Sequence, residues 1–247
     1  MRVKKYLPSL ITLANLFLGF LAILYIQRGN FNLGCHLILI AALLDSFDGK
    51  LARKIGVVSS FGKEIDSLAD MVSFCLAPSI LVYSLYTQNM PGITGEIIAS
   101  APLIIGAIRL ARFNIVEHNE YQVDFTGLPT PMNALSVASL VLFIEHIKID
   151  NPEYSQPRLL LPLILSLSYL MVSRVRYAKF PLLNLNSGRQ NTMRLVGVLI
   201  FVVAFIISIF IGYPYRVLAG FVSFYIFSGI FKHFITLGNI TPTNQGT

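Results

Sequence analysis

Charge is what this sequence has least of. Asp, Glu, Lys and Arg make up 13% of its 247 residues, about half the share of a solvated globular domain, which leaves little of the chain for a soluble domain. Cysteine is nearly absent too: Cys35 and Cys75 both lie in apolar stretches, with no His or Cys at metal-ligand spacing, and read as packing residues. His36, His118 and His233 stand alone in the same sense. No low-complexity tract or internal repeat occurs. The formal charge of +7 is read as membrane topology and attraction to anionic headgroups, with no nucleic-acid partner.

What the chain has is apolar length, 55% of it hydrophobic. Runs of about 20 apolar residues mark spanning helices, because the hydrocarbon core is roughly 30 Å thick. Eight such segments are expected at 7–26, 31–53, 61–87, 93–115, 130–147, 158–175, 193–211 and 214–235, separated by turn-forming stretches such as QRGN, NMPG and GYP. The fold class is therefore all-α, a polytopic helical bundle forming a single membrane domain over 1–247. The first segment lacks an A-x-A-like site and is read as an uncleaved span. With eight spans, 15 of the 19 Lys and Arg fall on the side of both termini, which the positive-inside rule makes cytoplasmic.

The exception to this pattern is LLDSFDGKLARKIGVVSSFGKEIDSLAD, residues 43–70, which holds five carboxylates at the cytoplasmic turn between the second and third segments. Asp45 and Asp48 are three apart and Asp66 and Asp70 four apart, so each pair shares one face of a helix. Gly56 breaks the segment between them, letting the two helices run antiparallel with the acids at matching depths. Ionised groups in a span cost a few kcal/mol and are a functional signal. All-oxygen ligation suits Mg²⁺ or Mn²⁺, and four acids suggest two ions about 3.5–4 Å apart, the arrangement that clamps an in-line displacement at phosphorus. Near headgroup level, this points to metal-assisted phosphoryl-type transfer on a lipid. From the acids alone, buried ion pairs such as Asp48 with Arg53, or a cation or proton path in a transporter, also stay open. The last two spans carry almost no ionisable groups, which counts against a transporter.

The pattern Asp45-x-x-Asp48-Gly49-x-x-Ala52-Arg53, eight residues, Gly62-x-x-x-Asp66-x-x-x-Asp70 resembles the signature of the CDP-alcohol phosphatidyltransferase family at every specified position. The resemblance implies a membrane enzyme, usually a homodimer, that moves a substituted phosphate from a CDP-linked donor to an alcohol and releases CMP. It implies metal ligation by Asp45, Asp48 and Asp66. Asp70 would be the base that takes the alcohol proton, with a ligand role as well. Gly49, Ala52 and Gly62 would let the nucleotide approach the backbone, and Arg53 would meet the pyrophosphate. The catalytic core is expected over about 1–180, with an additional helix pair at about 190–236.

Two further stretches, IRLARFN ending at Asn114 and FTGLPTP at 125–131, resemble the phosphatidylserine synthase branch, as does PSLITLANLFLGF in the first span. That resemblance implies CDP-diacylglycerol and L-serine as substrates. A serine carboxylate favours a guanidinium over an ammonium, so Arg109 and Arg112 are candidates for serine and phosphate, with Asn114 beside them; snorkelling anchors are the other reading of the two arginines. Thr12 and Asn15 are candidates for donor contact, or for polar contacts between helices. Sibling enzymes using glycerol phosphate or inositol phosphate are the same-fold alternative. HIKIDNPE at 146–153 approaches the H-x-K-x4-D pattern of phospholipase-D-like transferases, but Glu153 stands where Asp belongs and no second copy exists.

Overall fold

The computed structural model describes residues 7–55, 60–116, 124–150, 160–178 and 189–238. The side chains of Asp48, Ala52 and Arg53, all on the second helix, are outside what is described, as are His118 and the residues between Asn151 and Gln156. In chain order the elements are α1 (Leu7–Gln27), α2 (Phe31–Ile55), α3 (Ser60–Asp70), α4 (Ala77–Val82), α5 (Thr94–Ala99), α6 (Ala101–Val116), β1 (Asp124–Thr126), α7 (Thr130–Asp150), α8 (Leu160–Val172), β2 (Arg176–Ala178), α9 (Arg189–Ile211) and α10 (Pro214–Gly238). This is the architecture of an all-α membrane protein carrying one two-stranded sheet.

Among the described residues, six helical stretches are long and apolar enough to cross a membrane: Pro8–Gln27, Phe61–Thr87, Thr94–Ile115, Thr130–Ile149, Asn191–Ile211 and Pro214–Ile235. The other two expected spans are helical but shorter in their apolar part, Phe31–Phe47 and Leu160–Val172. The first already contains Asp45 and ends at Phe47, next to side chains outside the described residues. The second has 13 residues, about 20 Å at 1.5 Å per residue.

The α1–α2 turn rests on Gly29 at φ 77° and on Asn30, whose side-chain oxygen accepts the Leu33 amide at 3.2 Å, an N-cap contact. From Ser60 to Thr87 the chain is one rod interrupted by two wide π-helical stretches, Met71–Leu76 and Tyr83–Thr87. Pro78 sits in the first turn of α4 and has no N–H to give. The Ala77 amide instead reaches Val72 O, five residues back. Ser73, Phe74 and Cys75 are all buried in this widened stretch.

The main core lies between α1, α2, α4, α7 and α8, with Ala22, Ile38, Ala41, Phe74, Leu81, Val137 and Val141 almost fully enclosed. Small residues let these backbones approach closely, as membrane helices require. Gly19 faces Ser73 so tightly that a Cβ there would sit 2.2 Å from its Oγ.

A second cluster, Leu128, Leu167, Met171, Val175 and Tyr177, surrounds the sheet. β1 and β2 pair antiparallel, with Phe125 opposite Tyr177, so the segment entering α7 is tied to the one leaving α8. The tie continues through Gly127 N–H to Val175 O at 2.8 Å and Leu128 N–H to Leu170 O at 2.9 Å. α10 closes over it. Tyr225 stacks on Tyr177 with ring centroids 5.5 Å apart, and its hydroxyl donates to Ala178 O at 3.0 Å. Burial pushes the Tyr177 phenol up to about 12, so it stays neutral at physiological pH. α9, only 6% buried, leans on α10.

Gly127 is the least replaceable residue of this tie. Its φ is +78°, and a Cβ would meet Met171 O at 2.2 Å. Gly127→Ala is expected to destabilise the protein by about 1–2 kcal/mol from the left-handed backbone alone, and by more from the carbonyl clash. Thermal unfolding in detergent checks this; an unchanged Tm would show that the turn is not held as described.

Candidate active site

The site begins with two helix faces brought to one depth. Asp45 lies ten residues before the α2 end at Ile55, and Asp70 ten residues after the α3 start at Ser60, about 15 Å in each case. Both helices pack on α1, which holds their acidic faces together. One carboxylate oxygen from each of Asp45, Asp66 and Asp70 falls within 4.8 Å of the others. Asp70 ends α3 where the π-helical widening starts.

Asp70 is also held from α7. The Thr130 hydroxyl donates to Asp70 Oδ2 at 3.4 Å, while the buried Asp70 Oδ1 has no hydrogen-bond partner among the described residues. Carboxylates this close cannot all remain charged in an apolar setting without a cation or shared protons. A clustered oxygen donor set with an open buried oxygen fits a hard divalent ion. Asp48 stands almost one turn further along α2, on the same helix as Asp45.

Residues 5–175 match the CDP-alcohol phosphatidyltransferase family. The chain belongs to that family. Among relatives, the CDP-diacylglycerol–serine O-phosphatidyltransferase of Helicobacter pylori is 34% identical over 229 residues, 91% of this chain and 90% of the relative. The enzyme of the same name from Bacillus subtilis is 36% identical over 190 residues, 76% of this chain and 99% of the relative. The archaetidylserine synthase of Methanothermobacter thermautotrophicus is 35% identical over 182 residues, 70% of each chain.

In this CDP-alcohol phosphatidyltransferase, α6 brings one arginine to the acids. Arg109 is 8% exposed, within electrostatic reach of Asp70 and Tyr225, and 6.0 Å from the Phe113 ring centroid. Its Nε has no hydrogen-bond partner among the described residues. Arg112, three positions on, is turned outward: it is exposed and donates to Val172 O at 3.4 Å. Asn114 is exposed as well and exchanges hydrogen bonds with Ser67 at 3.0 and 3.2 Å, tying the end of α6 to α3 next to Asp66. The structure thus gathers Arg109 with the acids and places Arg112 and Asn114 outside that pocket.

On α1, Asn15 is fully buried, with its side-chain oxygen and nitrogen unpartnered among the described residues. Its backbone carbonyl accepts the Ser73 hydroxyl at 3.0 Å, three residues past Asp70. Thr12 is 6% exposed and donates to Pro8 O at 3.1 Å. Gly49 and Gly62 lie half-buried on α2 and α3. Thr130 is the residue of this site that the sequence reading passed over. It lies in FTGLPTP, between two prolines; a hydroxyl opening an apolar helix was the available signal.

Proposed function

We propose that this protein is a CDP-diacylglycerol–serine O-phosphatidyltransferase, transferring the phosphatidyl group from CDP-diacylglycerol to the L-serine hydroxyl and releasing CMP. The observation that carries the reading is 34% identity to an enzyme of that name across 91% of this chain and 90% of the relative, with three acids of the family pattern, Asp45, Asp66 and Asp70, converging within 4.8 Å. The open buried oxygen of Asp70 and the buried Arg109, within electrostatic reach of Asp70, supply what a serine hydroxyl and carboxylate need.

Asp45, Asp48, Asp66 and Asp70 hold Mg²⁺ or Mn²⁺, two ions in this reading. When bound, the ions neutralise charge on the phosphate oxygens as Lewis acids. Asp70 accepts the serine hydroxyl proton. The serine oxygen forms its bond to the phosphorus bearing diacylglycerol, and the bond from that phosphorus to the CMP oxygen breaks, CMP leaving with the electron pair. Thr130 keeps the Asp70 carboxylate aimed through Oδ2. Gly49, Ala52 and Gly62 give the nucleotide close approach to the backbone, Arg53 meets the pyrophosphate, and Thr12 and Asn15 face the donor. Arg109 takes the serine carboxylate. Arg112, at the same end of α6, meets a phosphate, and Asn114 fixes that end against α3.

The enzyme sits in the cell membrane with eight spans and both termini cytoplasmic, the acid cluster opening to the cytoplasm where CMP is released. Here α2 crosses with its charged end at the interface and α8 with a short apolar core. The whole chain, 1–247, is one membrane domain with a catalytic core over about 1–180 and a helix pair at about 190–236, and it works as a homodimer.

The test is an acceptor panel. Purified protein given CDP-diacylglycerol and divalent ion is offered labelled serine, glycerol phosphate or inositol phosphate. CMP release with serine is expected to exceed that with either phosphate by about 10²-fold or more, as a site built around specific polar groups discriminates. Preference for a phosphorylated acceptor, or no CMP from any of the three, would refute the reading.

A further inference from the structure

Asn133 lies on α7 and is 0% exposed. Neither its side-chain oxygen nor its side-chain nitrogen has a hydrogen-bond partner among the described residues. A carboxamide offers two N–H donors and one acceptor oxygen, and leaving such groups buried and unmade is costly enough that proteins pair nearly all of them. Something other than the described side chains therefore completes this one.

Its position says what. Asn133 is three residues after Thr130, one helical turn along the same side of α7, where side chains lie about 5–6 Å apart. Thr130 is the residue whose hydroxyl reaches Asp70 Oδ2 at 3.4 Å. Asn133 is thus the next polar group inward from the acid that receives the acceptor's proton. Other buried atoms near this end without a hydrogen-bond partner among the described residues include Asp70 Oδ1, Arg109 Nε and the side chain of Asn15 on α1, which faces the donor in the reading above.

On the serine reading above, Asp70 is engaged by the hydroxyl and Arg109 by the carboxylate. The α-ammonium is left. It is a donor only, and a carboxamide oxygen accepts from it without adding a further negative charge to three clustered carboxylates. We infer that Asn133 is an acceptor-selecting residue whose side-chain oxygen receives the α-ammonium of an amino-acid acceptor. This inference rests on the proposed serine transfer, and it names a contact that separates serine from hydroxy acids of the same size.

The experiment compares wild type with Asn133→Leu, Asn133→Ala and Asn133→Asp, measuring CMP release with serine and with 3-hydroxypropionate, which keeps the hydroxyl and carboxylate and lacks the amine. In the Leu and Ala variants the KM for serine is expected to rise about 10–100-fold, the loss of one hydrogen bond to a charged group. The KM for CDP-diacylglycerol should hold, and the preference for serine over 3-hydroxypropionate should shrink by the same factor. Asn133→Asp keeps an oxygen in place and should remain within about tenfold of wild type for serine. If Leu fails to fold, Ala and Asp still decide the matter. An unchanged serine KM and an unchanged preference in active variants would overturn the inference alone, as would a rise confined to the CDP-diacylglycerol KM. A wild-type enzyme inactive with serine would overturn the serine reading and this inference with it.

Discussion

Asp70→Asn is expected to slow CMP release by about 10²–10⁴-fold, the usual worth of a general base. The substitution keeps the side chain's size and its contact with Thr130, which donates to an oxygen the amide retains. It removes the group proposed to take the acceptor's proton: among the described residues, Asp70 is held from α7 at Oδ2 and keeps a buried Oδ1 without a hydrogen-bond partner. The same change removes one of three carboxylates that lie within 4.8 Å of each other, so repulsion in the ion-free protein falls. The variant should therefore be nearly inactive yet unfold no lower than wild type when divalent ions are chelated. Single-turnover CMP release and thermal unfolding in EDTA read the two effects separately. A wild-type rate would remove Asp70 from the base role, and a lower Tm in EDTA would mean that the cluster is held together by shared protons.

Asp66→Asn carries the second large effect. Asp66 lies four residues before Asp70 on α3 and supplies an oxygen to the same cluster; Ser67, next to it, is fixed by Asn114 from α6. Losing even a supporting group of a metal site costs 10–100-fold in affinity or activity, and losing a direct ligand is expected to cost more, about 10³-fold in rate at low ion concentration. The distinguishing feature is partial rescue. Raising Mn²⁺ should recover activity in Asp66→Asn and should not in Asp70→Asn, because more ion does not replace a missing base. Rate measured against Mn²⁺ concentration for the two variants checks this, and identical curves would contradict the division of roles.

Much of this was legible in the sequence because it is written in one dimension. Span limits follow from where apolar runs meet charge or turn residues: α1 ends at Gln27 against an expected 26, and α10 starts at Pro214 as expected. The acids were legible because spacings of three and four residues set a helix face regardless of what surrounds it. What was hidden depends on contacts between distant segments. β1 and β2 pair across some fifty residues and are sealed by Tyr225 of α10, and three-residue strands carry too few residues to show a period of two.

Arg109 and Arg112 share a spacing that suggests one face, yet a step of three residues turns the helix by about 60°, enough to bury the first and expose the second. His36 stands alone in sequence, but its Nε2 lies 3.4 Å from the Tyr215 hydroxyl, and His146 packs edge-on to the same tyrosine. These contacts join α2, α7 and α10 at the end of the bundle opposite the acids. Asn133 was hidden for the opposite reason. Its proposed role rests on contacts that the described residues do not supply.

The most direct measurement is Mn²⁺ binding to the purified protein by electron paramagnetic resonance, with no substrate turnover required. Wild type is expected to bind Mn²⁺ in a saturable way that Mg²⁺ competes away, and Asp45→Asn/Asp66→Asn to lose that binding while remaining folded. Equal Mn²⁺ binding by both proteins would contradict a metal-holding role for the carboxylates of α2 and α3.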